Sequence, residues 1–86
     1  MRHRATPRFW RCYGDLQDEI QRRADESFAR LRHDPRHPSL HMKRVGDLWS
    51  VRIGLHHRAL ALEDGPDLTW FWIGPHAEYD RIVGRS

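Results

Sequence analysis

Between residues 49 and 53, apolar and polar side chains alternate, a pattern that predicts a β-strand with one buried face. Trp49, Val51 and Ile53 form the apolar set, so Arg52 is expected to project from the opposite face. The same reasoning predicts further strands, each bounded by Gly, Asp or Pro residues that favour turns, over residues 42–45, 57–62 and 68–73. The last of these runs is the most apolar, which favours a position inside the sheet.

The first half of the chain has the periodicity of an amphipathic helix. Apolar residues recur at intervals of four and then three from Leu16 to Leu31, and Asp15 is a suitable N-cap. Acidic side chains lie in the first turns and arginines in the last, in agreement with the helix dipole. The helix is expected to end at His33-Asp34-Pro35, because a residue that precedes proline avoids the helical region.

The predicted order of elements is β-α-β-β-β-β with a helical tail. The opening strand is placed over residues 6–12, with Pro7 at its start, and the tail over residues 76–83. One long amphipathic helix packed on a small, twisted, mostly antiparallel sheet is an α+β fold. With 86 residues the chain is expected to form one domain, residues 1–86, around a single modest core.

Composition and charge narrow the range of functions. The chain has 15 Lys and Arg against 12 Asp and Glu, and positive residues cluster within residues 1–13 and 33–58. This asymmetry favours a polyanionic partner, nucleic acid foremost, although an unspecialised basic surface has the same composition. The single cysteine, Cys12, excludes an internal disulfide and suits a reducing cytoplasm. No apolar run approaches the length of a membrane span, so no membrane association is expected.

Arg52 is the first candidate for a functional residue. Its guanidinium can bind a phosphate through two parallel hydrogen bonds, although a cross-strand ion pair explains an arginine here equally well. Arg58 is expected beside Arg52 across the hairpin, where two guanidinium groups repel each other unless an anion lies between them. Alternation allows only one of Lys43 and Arg44 to share the face of Arg52. We predict a phosphate-binding face with Lys43, Arg44 and Arg58 as its supporting cations.

Imidazole and phenol groups are candidates for proton transfer. His76 directly follows the most apolar strand, and histidine is suited to general acid or base chemistry near neutral pH. Tyr79 would share a helical face with His76 and could donate to an oxyanion or stack on a base, although simple packing is the commoner role. His57 is included among the phosphate-binding candidates, but only one of His56 and His57 can face the cationic surface.

Neither a metal nor any other cofactor is predicted. Histidines recur at intervals of four at positions 33, 37 and 41, but Pro35 and Pro38 forbid the regular helix that would align them. The chain also lacks a cysteine pair and the HExxH pattern of metalloproteases.

The sequence resembles the RelE/ParE superfamily of small bacterial toxins from type II toxin–antitoxin systems. The resemblance covers most of the chain and lies in a helix from Tyr13 to Leu31 followed by the runs HPSLHMKRV (37–45), WSVRIGLHHRALAL (49–62) and WFWIGPHAEYD (70–80). It implies a helical segment packed on a twisted antiparallel sheet. Four residues resemble the positions of the RelE-type catalytic pattern, namely Lys43, Arg52, His76 and Tyr79. Two departures are a thinner lysine-rich segment and a histidine at 76, where many members carry arginine.

The resemblance also implies a function. RelE-like members cut mRNA on the ribosome without a metal, whereas ParE-like members act against DNA gyrase and lack those catalytic groups. We expect a cytoplasmic endoribonuclease, an mRNA interferase that stops translation, with Arg52, His76 and Tyr79 as catalytic residues. Its expected partners are a cognate antitoxin and mRNA, on or off the ribosome. The alternatives are a non-enzymatic toxin that poisons DNA gyrase and an inactive RNA-binding relative.

Overall fold

The computed structural model describes residues 2–84, which form a five-stranded sheet with helices on both faces. The elements along the chain are β1 (His3–Ala5), α1 (Pro7–Gly14), α2 (Asp18–His33), a 3₁₀ turn (Pro38–Leu40), β2 (Lys43–Val45), β3 (Leu48–Ile53), β4 (His57–Asp64), β5 (Asp67–Pro75) and α3 (His76–Ile82). The spatial order of the strands is β1-β5-β4-β3-β2. β1 runs parallel to β5, and the other neighbours are antiparallel. The predicted α+β fold is therefore confirmed, and β5 lies inside the sheet as its apolar sequence predicts.

The predicted opening strand over residues 6–12 is wrong, because these residues belong almost entirely to helix α1. The side chain of Thr6 caps this helix, its Oγ1 accepting a hydrogen bond of 3.1 Å from the Phe9 amide. Pro7 occupies the first turn, where its missing N–H is no disadvantage. The strand lies earlier, at β1, and the chain leaves it as the Thr6 amide donates to the Trp70 carbonyl at 3.0 Å.

Helix α2 carries the predicted amphipathic pattern but begins later than expected. Its N-cap is Gln17 in place of Asp15, because the chain from Asp15 to Gln17 is the connection between two helices. Its end at His33 agrees with the prediction from the following Asp34-Pro35. The buried residues of the helix are Ala24 and Leu31, which pack against Val51 of β3 and the rest of the larger core cluster.

A smaller core cluster lies on the opposite side of the sheet, under α3. It consists of Leu60 of β4, Trp72 of β5 and Tyr79 of α3. Because both faces of β4 and β5 are partly covered, the central residues of each strand, 59–62 and 70–73, are continuously apolar. Across residues 2–84, no helix has the length and apolar character needed to traverse a bilayer.

Candidate functional site

The register of the sheet brings three predicted cations to one face. Arg52 is paired directly with Arg58 across β3 and β4, and Lys43 is paired with Ser50 across β2 and β3. Directly paired residues share a face of the sheet, and so do residues two apart on one strand. Lys43, Ser50, Arg52 and Arg58 therefore lie on the face against which α3 packs, here called the α3 face. Of Lys43 and Arg44, it is Lys43 that joins Arg52.

Arg58 is the most firmly held of these cations, with only 7% of its surface exposed. Its Nε donates to Ser50 Oγ at 2.7 Å and its Nη2 donates to the His41 carbonyl at 3.1 Å. Its Cζ lies 5.1 Å from the centre of the Tyr79 ring, a cation–π geometry. Burial lowers the pKa of Arg58, Tyr79 opposes this effect, and the neighbouring Arg52 charge reinforces it. Since a guanidinium stays protonated in proteins, the site keeps a fixed positive charge in a partly dry environment.

Arg52 is half-buried and is also held by neighbouring groups. Its Nε donates to the Gly54 carbonyl at 2.8 Å, and its Nη1 lies 3.2 Å from His41 Nε2. The Arg52 guanidinium can only donate, so it is the donor in this hydrogen bond, and Nε2 of a neutral His41 ring is the acceptor. The two arginines are thus oriented before any ligand arrives.

His41 belongs to the site, although its place in the sequence raised only the question of a metal ligand. It contacts Arg58 through its carbonyl and Arg52 through its ring. It follows the 3₁₀ turn and has φ of 45°, in the left-handed region that few residues other than glycine adopt. The local signal was a polar residue at the end of a turn that begins with proline, immediately ahead of the cationic strand.

Helix α3 carries the remaining predicted residues, His76 and Tyr79. The His76 amide donates to the His56 carbonyl at 2.8 Å, which ties α3 to the β3–β4 turn. The rings of His76 and Tyr79 are 5.4 Å apart, and His76 Nδ1 lies 3.3 Å from Asp80 Oδ2. The side chain of His76 is about half exposed, whereas Tyr79 is only 3% exposed. Tyr79 therefore packs against the Arg58 guanidinium and has no exposed surface on which a base could stack.

Two of the predicted phosphate-binding residues do not join this face. Arg44 is paired with Trp49, so it lies on the opposite side, where its Nη1 is 3.0 Å from Glu63 Oε1 and its Cζ stacks over the Trp49 ring. His57 is paired with Ile53 and therefore faces away from Arg58. Burial lowers the pKa of His57, and the adjacent His56 lowers it further. Arg44 and His57 therefore lie on the face opposite Arg52, because a step of one residue along a strand reverses the face.

The described part of the chain, residues 2–84, contains no group of three His, Cys, Asp or Glu side chains placed to hold a metal ion. The chemistry that the α3 face offers is that of fixed positive charge beside an imidazole. Such an arrangement can bind a phosphodiester and transfer protons to or from the oxygen atoms of hydroxyl groups beside it.

Solved structures share this fold at low sequence identity. The YoeB/ParE toxin from Agrobacterium tumefaciens is 16% identical with a TM-score of 0.69, over 88% of this chain and 99% of that chain. The RelB-RelE antitoxin–toxin complex from Methanococcus jannaschii contains a chain that is 12% identical with a TM-score of 0.72. The match covers 91% of this chain and 96% of that chain. The archaeal RelE-RelB complex from Pyrococcus horikoshii contains a chain that is 17% identical with a TM-score of 0.66. The match covers 99% of this chain and 97% of that chain.

A search of curated proteins gives no match to the sequence. The model of one protein family, described as the ParE-like toxin domain, matches residues 18–81, from the start of α2 almost to the end of α3. This match spans most of the chain and confirms the resemblance drawn from the sequence. The chain belongs to the ParE-like toxin family.

Proposed function

We propose that this toxin is an endoribonuclease that cleaves mRNA in the cytoplasm, and that the cleaved phosphate binds at Arg52 and Arg58. One observation carries the proposal: two arginines are paired directly on adjacent strands, and the guanidinium group of each is oriented by neighbouring groups. Like charges in such a pair are destabilising by themselves. An anion between them removes the repulsion, and a phosphodiester is the anion for which two guanidinium groups are best suited.

The proposed reaction is attack by a ribose 2′-oxygen on the adjacent phosphorus atom. A bond forms between phosphorus and the 2′-oxygen, and the bond to the 5′-oxygen breaks, which leaves a 2′,3′-cyclic phosphate and a 5′-hydroxyl. A base takes the 2′-hydroxyl proton, an acid protonates the departing 5′-oxygen, and negative charge grows on the phosphoryl oxygens in between. Arg52 and Arg58 are assigned to that charge, with Lys43 contributing from the same face.

His76 is assigned to proton transfer. Its Nδ1 is beside the Asp80 carboxylate, so the neighbouring residue occupies that nitrogen and leaves Nε2 to face the substrate. A carboxylate beside one nitrogen orients the imidazole, as in other acid–base sites. Tyr79 is assigned to holding the Arg58 guanidinium, which differs from the direct catalytic role that its sequence position suggests.

The proposed protein partner is an antitoxin. Two of the structures with this fold, from Methanococcus jannaschii and Pyrococcus horikoshii, are complexes of RelE with RelB. An antitoxin segment that folds on binding would contribute a helix or a strand to the toxin surface.

The test is the charge-removing variant Arg52→Ala, measured by growth arrest and transcript cleavage after induced expression. Loss of one preorganised charge donor is expected to slow cleavage by about 10²–10³. Arg44→Ala is the matched control, because it removes the same charge from the neighbouring strand but on the opposite face. Equal toxicity and equal transcript cleavage by Arg52→Ala and wild type, at equal soluble levels, would contradict the assignment.

The family match favours a second candidate, because ParE-like toxins are expected to act on DNA gyrase. In that case the same face binds a protein, and induction triggers the SOS response while mRNA stays intact. Rapid transcript cleavage without an SOS response identifies the ribonuclease. An inactive RNA-binding relative would bind RNA in vitro and leave it uncut, with chelator present and with or without ribosomes.

A further inference from the structure

We infer that a second groove, between α2 and the β3–β4 turn, binds the single-stranded RNA segment next to the cleaved phosphate. This groove, here called the α2 groove, has a volume of about 930 Å³, in the range of roughly 300–1,000 Å³ that is usual for ligand sites. The inference rests on the proposed function, because the RNA in the groove is the continuation of the strand that is cut at Arg52 and Arg58.

The α2 groove and the α3 face share two residues. Arg52 and His41, which belong to the proposed phosphate site, also line the groove. The groove then passes between α2 and the β3–β4 turn at Gly54. A Cβ at position 54 would lie 3.1 Å from Arg23 Cδ, and Gly54 has φ of +61°, so glycine allows the arginine to lie across the turn. A strand that leaves the phosphate site at Arg52 therefore enters the groove directly.

The lining of the groove has more positive than negative side chains. Arg23, Arg30 and Arg52 line it, against two acids, Glu26 and Asp34. The contacts of the α2 arginines leave their charges accessible to a ligand. Arg30 donates to the neutral Ser39 hydroxyl at 3.0 Å, and Arg23 has an exposed ion pair of 3.6 Å with Glu19, a type that contributes little stability. The complementary ligand is a chain of phosphates.

Three histidines in the lining favour a nucleic acid with accessible bases over other chains of phosphates. His33, His37 and His41, which recur at intervals of four in the sequence, all line the α2 groove although no helix connects them. Imidazole rings stack on unpaired bases, while arginines bind the phosphates between them. A strand whose 2′-hydroxyl must rotate into line with the departing 5′-oxygen is single-stranded at the cut. The nucleotides beside the cut are then free to unstack and enter the groove.

The experiment measures binding of a 2′-O-methyl oligoribonucleotide, which cannot be cleaved, over a series of salt concentrations. The groove pair, Arg23→Ala with Arg30→Ala, is compared with a control pair, Arg22→Ala with Arg32→Ala. Both pairs remove two arginines from the same helix. Arg22 is exposed outside the groove, and Arg32 lines a different cavity beside Trp70. A 2′-O-methyl dinucleotide, too short to reach the groove, reports on the phosphate site alone.

The groove pair is expected to bind the oligonucleotide about tenfold more weakly and to reduce the salt slope of log Kd by about 1.4, about 0.7 for each lost contact. The control pair should bind like wild type, and both pairs should bind the dinucleotide equally. Equal losses of oligonucleotide affinity in the two double variants would contradict the inference that the groove binds RNA. The absence of any oligonucleotide binding by wild type would contradict it as well. If wild type binds the oligonucleotide through the groove but cuts no RNA, the groove stands and the ribonuclease proposal falls.

Discussion

At the scale of single residues, Arg58 shows how a charge can be kept beneath the surface of a small domain. Burying a charged group is costly unless hydrogen bonds and nearby polarisable groups replace water. Ser50 and the His41 carbonyl accept hydrogen bonds from Arg58, and the Tyr79 ring covers its plane. This arrangement explains why a serine occupies the fully buried position 50 in the middle of a strand.

The variant Ser50→Ala is expected to lower the free energy of unfolding by about 1.5–3 kcal/mol, because it removes a hydrogen bond to a charged, buried donor. Urea unfolding at constant pH measures this loss. Ser39→Ala is the matched control, since Ser39 Oγ accepts a bond from the exposed Arg30. A surface change of that kind should stay within about 0.5 kcal/mol. Equal losses in the two variants would mean that Ser50 does not stabilise the Arg58 charge.

His41 has separate roles in its backbone and in its side chain. A side chain with φ of 45° costs about 1–2 kcal/mol relative to glycine. His41→Gly should therefore be more stable than His41→Ala by about 1 kcal/mol, although both lack the imidazole. Under the proposed function, both variants should cut RNA more slowly than wild type, because Arg52 loses the acceptor that orients it. If the two variants unfold at the same urea concentration, or if both cut RNA at the wild-type rate, this division of roles is wrong.

At the scale of secondary-structure elements, α1 forms in a segment whose residue types also predict a strand. The apolar and aromatic residues between Phe9 and Cys12 are of types that are common in strands. The helix is instead favoured by the two residues at its N-terminus. Thr6 closes the first turn with its side chain and Pro7 fits the first helical position. The element that forms is thus decided by a cap of two residues and by the burial of Phe9 against the sheet.

Thr6→Ala is expected to destabilise the protein by about 1 kcal/mol, since the Phe9 amide loses its acceptor. Thr6→Ser keeps the oxygen and should recover most of that loss. Thermal unfolding followed by circular dichroism compares the three proteins. If Thr6→Ser is as unstable as Thr6→Ala, the methyl group of Thr6 and not its hydroxyl stabilises α1.

At the scale of the whole molecule, two partly buried histidines couple folding to pH. Burial lowers the pKa of His3, and the charge of Arg32 lowers it further. His3 Nδ1 also accepts a hydrogen bond of 3.1 Å from Trp70 Nε1, which only the neutral ring can do. Burial likewise lowers the pKa of His57. Both rings therefore bind protons more weakly in the folded chain than in the unfolded chain.

A histidine with a lowered folded-state pKa stabilises the protein above its unfolded pKa of about 6.5 and loses this contribution as the pH falls through its folded value. The urea midpoint is thus expected to be highest above about pH 7 and to fall as the solution is acidified below about pH 6.5. His57→Gln cannot bind a proton there, so its midpoint should fall less steeply. Parallel pH profiles of His57→Gln and wild type would exclude His57 as a cause of the acid sensitivity.

The sequence by itself determined the features that depend on local geometry. Alternation over residues 49–53 sets Arg52 against the apolar face, and the short turn at Gly54 pairs Arg52 with Arg58. The end of α2 at His33 follows from Asp34-Pro35 alone, because the steric conflict lies between neighbouring residues. These outcomes require only the periods of helix and strand and the conformational limits of glycine and proline.

Only the tertiary structure decided which residues share the site. Whether Lys43 or Arg44 joins Arg52 depends on the register of β2 on β3. The contacts of His41 with two arginines link segments that are eleven and seventeen positions apart in the chain. Such choices are set by the packing of distant elements. A shift of one residue leaves the local pattern intact but moves a side chain to the other face.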